Sequence, residues 1–442
     1  MKTKGRTHRM SKLRLALSTW LPRFALVVAS LLFAEGALQA VSMVSPAAAE
    51  RLSGLKPRYI ADPLLDVRGD PSSPEYDDAG FRNCRRAKRA SVVIIGDSQT
   101  EGSGVARANA WPQRLARLRE IDVYQMAFGS YGPGHYLSLV DEALALEPET
   151  LIVAVYTGND LAGVYEWVYD KGRDNDLRSS DRRVLDALAA ADRERGPIDA
   201  AWRETRDAEK GLTDRPILRW VRAHIVERSK LVALYDQLRW RLSGRNASLE
   251  KDAGTSDWSE LERTTASVPA HLLYRFADDG VRTVFTPQAR FAALDLEDPR
   301  IAEALRITLV MLDRIAALAA NRVDLAVTLV PTKELVFEER VTAQAPSVPS
   351  AFTELVRAEE QIRDRIKAFL DQRGVRWIDP LPEMRRYLDT LSAASVADSL
   401  YPDSWDGHPA TPGHEAIARA VMASGVRGEN RVLATSADAG CL

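Results

Sequence analysis

Cysteine and histidine are scarce in this chain of 442 residues, which holds two of the first and six of the second. The histidines (His8, His135, His224, His271, His408 and His414) are scattered apart from the last pair. No group of Cys and His shows metal-ligand spacing, so neither a structural zinc site nor any other metal or organic cofactor is expected. A basic excess is also missing. Sixty Lys and Arg face 62 Asp and Glu, for a net charge of -2, which lacks the electrostatic footprint of a nucleic-acid binder. Internal repeats and low-complexity tracts are absent, which removes solenoids and disordered linkers from consideration. The two cysteines, Cys84 and Cys441, lie at opposite ends of the folded part. In an oxidising compartment they could bridge; otherwise they are two unpaired thiols.

Long apolar runs are missing too, with one exception near the N-terminus. Seven basic residues (Lys2, Lys4, Arg6, Arg9, Lys12, Arg14, Arg23) precede any acid, and Phe24 to Val44 follows, apolar save for a few polar residues and the single charge of Glu35. Two readings stand side by side. A helix of that length could cross a hydrocarbon core of about 30 Å and anchor the chain with its basic flank inside. Alternatively Phe24 to Ala34 is the apolar region of a signal peptide cleaved at Ala47-Ala48-Ala49. Both send the protein out of the cytoplasm, to the periplasm or another extracytoplasmic space. Residues 1–50 are thus set apart as a targeting segment, and 51–90, rich in Pro, Gly and charge, read as a stem with an ordered turn at Gly80-Phe81-Arg82-Asn83.

The stretch from 91 to 425 reads as the folded domain, with 426–442 as a tail. Buried-strand patterns occur at Ser91–Ile95, Asp122–Phe128, Leu151–Tyr156, Val281–Thr286, Val323–Val330 and Val375–Ile378. Helical patterns lie between them at Ala110–Leu118, Pro299–Asn321 and about Ala351–Arg373. Strands alternating with helices predict a parallel sheet covered on both faces, an α/β three-layer sandwich. Charged, Ala- and Leu-rich segments at about 161–275, such as Arg182–Arg195 and Pro216–Leu242, read as a helical insertion.

In parallel sheets reactive groups collect on loops beyond the C-terminal strand ends. Three such loops carry polar motifs here. The first strand ends in Ile95-Gly96-Asp97-Ser98-Gln99-Thr100-Glu101-Gly102, the second in Phe128-Gly129-Ser130-Tyr131-Gly132, and the third in Thr157-Gly158-Asn159-Asp160. Near the C-terminus, Tyr401-Pro402-Asp403-Ser404-Trp405-Asp406-Gly407-His408-Pro409 precedes a helix opening at Thr411-Pro412-Gly413-His414, with Thr411 as the expected cap. A serine nucleophile needs a base, an acid to orient it and donors for the oxyanion. These four segments can supply all of them. Gly-Asp-Ser alone is weak evidence, expected by chance in roughly one chain in ten of this length.

The longer block resembles the GDSxTxG motif of the SGNH/GDSL hydrolases, and the other segments are similar to that family's later blocks. The resemblance implies an SGNH/flavodoxin-like fold with Ser98 as nucleophile and His408 as general base. Asp406 would orient His408, with Asp403 in reserve. The oxyanion donors would be the Ser98 N–H, the Asn159 side chain and a backbone N–H from the second loop. There an ungapped count puts Ser130 where the family usually has glycine, with Gly129 or Gly132 as alternatives. The Asp-x-His spacing resembles alginate-acetylation SGNH proteins. Leu329-Val330-Pro331-Thr332-Lys333-Glu334 looks like a motif of large exported members, with Lys333 and Glu334 either paired to hold a loop or touching substrate. Trp405 is the expected aromatic lining of the site. Trp167, Trp202, Trp220, Trp240 and Trp258 read either as core or as sugar-stacking rings; His414 reads as a helix residue. The function implied is hydrolysis of an acyl ester, acetyl in the first instance, on an envelope carbohydrate or small molecule. An O-acetyltransferase acting on an exported polysaccharide and an idle sugar-binding or assembly partner are the alternatives.

Overall fold

The computed structural model describes residues 22–44 in part, 59–205 except 74 and 199, 229–234 in part, 258–278, 281–343, 348–391 and 399–428. The chain divides into two compact units, residues 1–57 with 214–245, and 58–213 with 246–442. In the first, the described residues from 22 to 44 are helical. Glu35, the lone charge of the apolar stretch, accepts from the Ser229 hydroxyl and the N–H groups of Lys230 and Leu231, each at 2.9 Å. Burial acts to raise its carboxyl, but these bonds outweigh it and hold the group at about 2. No helix among the described residues is long and apolar enough to cross a membrane. The proposed cleavage site, Cys441 and most of Pro216–Leu242 lie outside the described residues.

The second unit opens with a hairpin, β1 (Tyr59–Asp62) and β2 (Asp66–Gly69). Its sheet strands are β3 (Val92–Gly96), β4 (Val123–Ala127), β5 (Thr150–Tyr156), β8 (Asp324–Val330) and β9 (Arg376–Ile378). They are all parallel, in the order β4-β3-β5-β8-β9. Numbered within the sheet this is 2-1-3-4-5, the flavodoxin-like order. β5 lies in the middle, and all seven of its residues (TLIVAVY) are buried, as expected of a strand covered on both faces. The amphipathic helix Pro299–Ala319 packs with Pro133–Leu144 and Asp160–Tyr165, while Trp111–Arg119 packs with Thr411–Ala423. Strand order reverses at the β3/β5 step, where open α/β sheets place their ligand crevice.

Three expectations need correcting. Val281–Phe285 is a strand, here β7, but it pairs antiparallel with β6 (Tyr274–Asp278) in a separate two-stranded sheet. The segment read as a stem is folded from residue 59 onward. Phe81 is wholly buried and Arg82 is 2% exposed. Asn83 Oδ1 accepts the Gln125 N–H and its amide donates to the Gln125 carbonyl, so this segment borders β4. The C-terminal helix begins at Thr411, leaving Ala410 rather than Thr411 at the cap.

A side chain on Gly96, the last residue of β3, would put a Cβ 2.3 Å from Thr100 Oγ1 and 2.6 Å from Thr100 Cβ. Thr100 is wholly buried and has little room to turn away. Gly96→Ala is therefore expected to lower unfolding free energy by about 1–3 kcal/mol in urea titration. An unchanged midpoint would show that this turn repacks freely.

Candidate active site

The nucleophile loop is built by a cap. Beyond β3 the chain turns at Asp97 into the one-turn helix Ser98–Glu101. Asp97 accepts the Gln99 N–H on its side chain at 3.0 Å, and its carbonyl takes the N–H groups of Thr100 and Glu101. That arrangement leaves the Ser98 N–H without a partner among the described residues, as the first N–H of a helix normally is. Arg82 braces the far side. Its guanidinium donates to the carbonyls of Glu101, Gly102 and Val105 at 2.7–3.0 Å.

Ser98 Oγ lies 2.9 Å from His408 Nε2, although 310 positions separate the two residues. On the other side of the ring, Nδ1 stands 2.7 Å from Asp406 Oδ1, which also accepts the His408 N–H at 3.0 Å. Burial acts to raise the Asp406 carboxyl, but the bonds and charge of His408 outweigh it and hold it at about 2. An ionised Asp406 keeps the proton on Nδ1 and leaves the Nε2 lone pair facing the serine. Asp403 makes no bond to His408; it is partly buried, which raises its carboxyl. The acid beside the histidine is Asp406.

Two more loops leave the strands flanking β3. Asn159 follows β5 and precedes the helix Asp160–Tyr165; its Oδ1 is buried without a partner, and its NH₂ is uncommitted among the described residues. In the loop after β4, the Gly129 N–H is already used, donating to Glu101 Oε2 at 3.0 Å. Glu101 in turn takes the Tyr76 hydroxyl at 2.8 Å. The Tyr131 N–H bonds the Phe128 carbonyl and the Gly132 N–H bonds His135 Nδ1. Ser130 is what remains. It adopts φ 73°, the left-handed region that favours glycine, and its N–H has no partner among the described residues.

Some residues do other work than expected. Lys333 is 1% exposed and touches no carboxylate of Glu334. Its ammonium donates to the carbonyls of Val284, Ser404 and Asp406, while Glu334 accepts the Thr286 N–H. Burial lowers the Lys333 ammonium to about 8. A direct substrate contact by Lys333 is ruled out by this enclosure. Trp405 packs, partly buried, against the small cluster Leu261, Leu273 and Val284. Trp167 is core, tilted at 53° against His135, with its N–H on Asp174. Trp258 donates to Glu262, and Trp220 and Trp240 lie outside the described residues. His414 is fully buried, accepts the Trp111 N–H, and is pushed by burial to about 3; it stays neutral and structural.

One residue was missed by sequence reasoning. Arg290, 6% exposed, donates to the Gly158 carbonyl at 3.2 Å and lies over the rings of Trp202 and Tyr156. A Cβ on Gly407 would meet its Nη2 at 2.8 Å, so it wedges between the Asn159 and His408 loops. Nothing in the local sequence Pro287-Gln288-Ala289-Arg290 signals that position. No cluster of His, Cys, Asp and Glu among the described residues could hold a metal.

No family model matches the chain and no curated protein does. Among solved structures it is similar to a G-D-S-L family protein from Desulfitobacterium hafniense described as lipolytic, at 13% identity, covering 76% of this chain and 98% of that one, with a TM-score of 0.31. It is also similar to the acetylxylan esterase of Geobacillus stearothermophilus, at 12% identity, 78% and 98% coverage and a TM-score of 0.33. A third is a Bacteroides fragilis protein described as an acylhydrolase, at 11% identity, 77% and 88% coverage and a TM-score of 0.29.

The backbone at Ser130 yields a direct test. Replacing it with glycine removes left-handed strain of about 1–2 kcal/mol and adds unfolded-state entropy of about 0.5–1 kcal/mol. Ser130→Gly should therefore gain up to about 1 kcal/mol in thermal unfolding, and Ser130→Val should lose stability. The reverse order would mean that the loop is not held in this conformation.

Proposed function

We propose that the chain is an SGNH-type serine esterase that cleaves an acyl ester, acetyl in the first instance, through a covalent acyl-serine. The observation that carries this reading is the Ser98–His408–Asp406 relay, with contacts of 2.9 and 2.7 Å at the sheet's switch point. His408 Nε2 takes the Ser98 proton as Oγ attacks the ester carbonyl. The tetrahedral oxyanion accepts from the N–H groups of Ser98 and Ser130 and the amide of Asn159. His408 then protonates the leaving alcohol, and the acyl group stays on Oγ. Water, deprotonated by the same imidazole, releases the acid.

The intact relay speaks against an idle binding partner. His408 and Asp406 keep 32% and 46% of their side chains exposed, so water has access to the acyl-serine, which supports hydrolysis. The substrate we assign is an acylated carbohydrate or a small ester outside the cytoplasm. The basic N-terminus and its apolar stretch support that location.

Purified protein given p-nitrophenyl acetate should release a burst of nitrophenol, and a serine-directed phosphonate should label Ser98. Ser98→Ala should lose both, with kcat down by at least about 10³-fold. Asp406→Asn should cost about 10²–10⁴-fold by leaving the wrong ring nitrogen protonated. Free oligosaccharides, added as acceptors, should not divert the acyl group. Absence of burst and label in the wild type would leave only a binding role.

The Asp406 carboxyl also sets a pH expectation. Its lowered value means that its contact stabilises the fold above the unfolded value of 3.8 and is lost as pH falls through about 2. Asp406 should therefore stay ionised throughout a kcat/KM profile taken down to about pH 4 and contribute no proton to its slope. A proton in that range that disappears in Asp406→Asn would place Asp406 in a different environment.

A further inference from the structure

We propose that Lys333 is a positioning residue of the triad, fixing Asp406, and through it His408, by gathering backbone carbonyls from behind; this rests on the esterase reading above. The loop carrying the acid and the base faces solvent and is closed at its base by the Ala410 N–H on the Leu400 carbonyl at 2.8 Å; apart from that bond, the His408–Ser98 contact and the bonds of Lys333, its other ties are long. The Gln99 side chain reaches the Gly407 carbonyl at 3.4 Å, and the Val284 N–H reaches the Ser404 carbonyl at 3.3 Å. The ammonium of Lys333 provides the short ones, 2.8 Å to Val284, 2.9 Å to Ser404 and 3.1 Å to Asp406. Three donors meet three acceptors, so the group is saturated and has no lone pair or free proton to offer a substrate. It works by holding.

What it holds is joined to the rest of the site. Lys333 opens the helix Lys333–Ala343, just beyond β8. The preceding residue, Thr332, donates its N–H to Glu359 at 2.9 Å, and its hydroxyl also bonds that carboxylate. Glu359, wholly buried on the helix Ser350–Gln372, accepts the hydroxyl of Thr157 as well, two residues before Asn159. One buried network thus runs from the oxyanion loop through Glu359 and Thr332 to Lys333, and on to the carbonyl of Asp406. Among the described residues no other group bonds that carbonyl. Carbonyls converging on one point suit a compact ammonium on a flexible four-carbon stem, whereas a planar guanidinium spreads its donors in one plane and suits carbonyls arranged as around Arg82. The charge also favours an ionised Asp406.

The expected result is specific to position. Lys333→Met should lower kcat for p-nitrophenyl acetate by about 10²-fold, the order associated with a 1 Å misplacement, with KM within about threefold. Lys333→Arg should fail to rescue it. Rates are taken per site labelled by the phosphonate, so unfolded protein does not count. In parallel, the low-field proton resonance of His408 Nδ1–H on Asp406 should be present in wild type and lost or broadened in Lys333→Met. A merely structural role would lower the melting temperature while leaving kcat per labelled site and that resonance intact, and either finding would overturn the proposal. If Lys333→Met does not fold, wild type alone decides. Raising pH through about 8, where Lys333 loses its proton, should remove the resonance while the circular dichroism stays native; persistence of the signal overturns the idea. Should wild type hydrolyse no ester, the resonance still reads the positioning, so the two failures are distinguishable.

Discussion

A serine hydroxyl at the end of β3 can lose its proton only if an imidazole 310 positions along the chain stays within hydrogen-bond reach of it. Everything else in the second unit serves that 2.9 Å separation. The serine is fixed by a short cap on a central strand, which the sheet holds on both sides. The imidazole has no such support, since it sits on an irregular loop between Tyr401 and Ala410. Its place is set from behind, by β7, Lys333 and Gln99, and from the chain beyond it by the helix Thr411–Ala423, whose His414 takes the Trp111 N–H. The antiparallel β6–β7 hairpin, peripheral to the main sheet, is the platform on which this loop rests.

Such support needs buried charge, and the structure handles its cost in a consistent way. Arg82, Lys333 and Arg290 are nearly inaccessible, and each donates to backbone carbonyls in the loops around the site. Arg363 follows the same logic at the far side, joining the Leu329 carbonyl to Asp379. A buried cation left without acceptors would cost several kcal/mol. When its partners are carbonyls of irregular backbone, the same charge satisfies loop groups that no strand or helix can reach. Enclosed carboxylates act reciprocally. Asp97, Asp160 and Glu359 are raised by burial and bind N–H and O–H donors, so they stiffen the loops around the site.

The main sheet was legible because a parallel strand buried on both faces writes itself as a continuous apolar run, as in Leu151–Tyr156. Its helices were legible by their period, with Arg182–Arg195 read at the bounds observed. The proximity of Ser98, His408 and Asp406 was legible as far as residue types on loops can take it. Less legible was anything whose partner lies far away in sequence. Val281–Phe285 carries an apolar run like the sheet strands, and nothing in that run shows that its partner is the strand just before it. Residues 59–90 look like linker by composition, yet Phe81, Arg82 and Asn83 are buried against the nucleophile loop and β4. Arg290 is invisible as a site residue, and Lys333 was singled out with the wrong partner, because both bind carbonyls, and a carbonyl has no letter in the sequence.

The loop after β4 shows how a serine can be held where the backbone favours glycine. Glycine is favoured where backbone must turn left-handed, and this chain places Ser130 there instead. What keeps the serine in that conformation is the preceding peptide. The Gly129 N–H is bound to Glu101, a residue of the nucleophile's own helix that is itself fixed by Tyr76. The loop after β4 is therefore tied to the loop after β3 by a carboxylate, and the tie consumes one N–H while leaving the next one free. A glycine at 130 would reach the same shape without help. With serine the shape has to be held from outside, and Glu101 is the residue that holds it, through the Gly129 N–H.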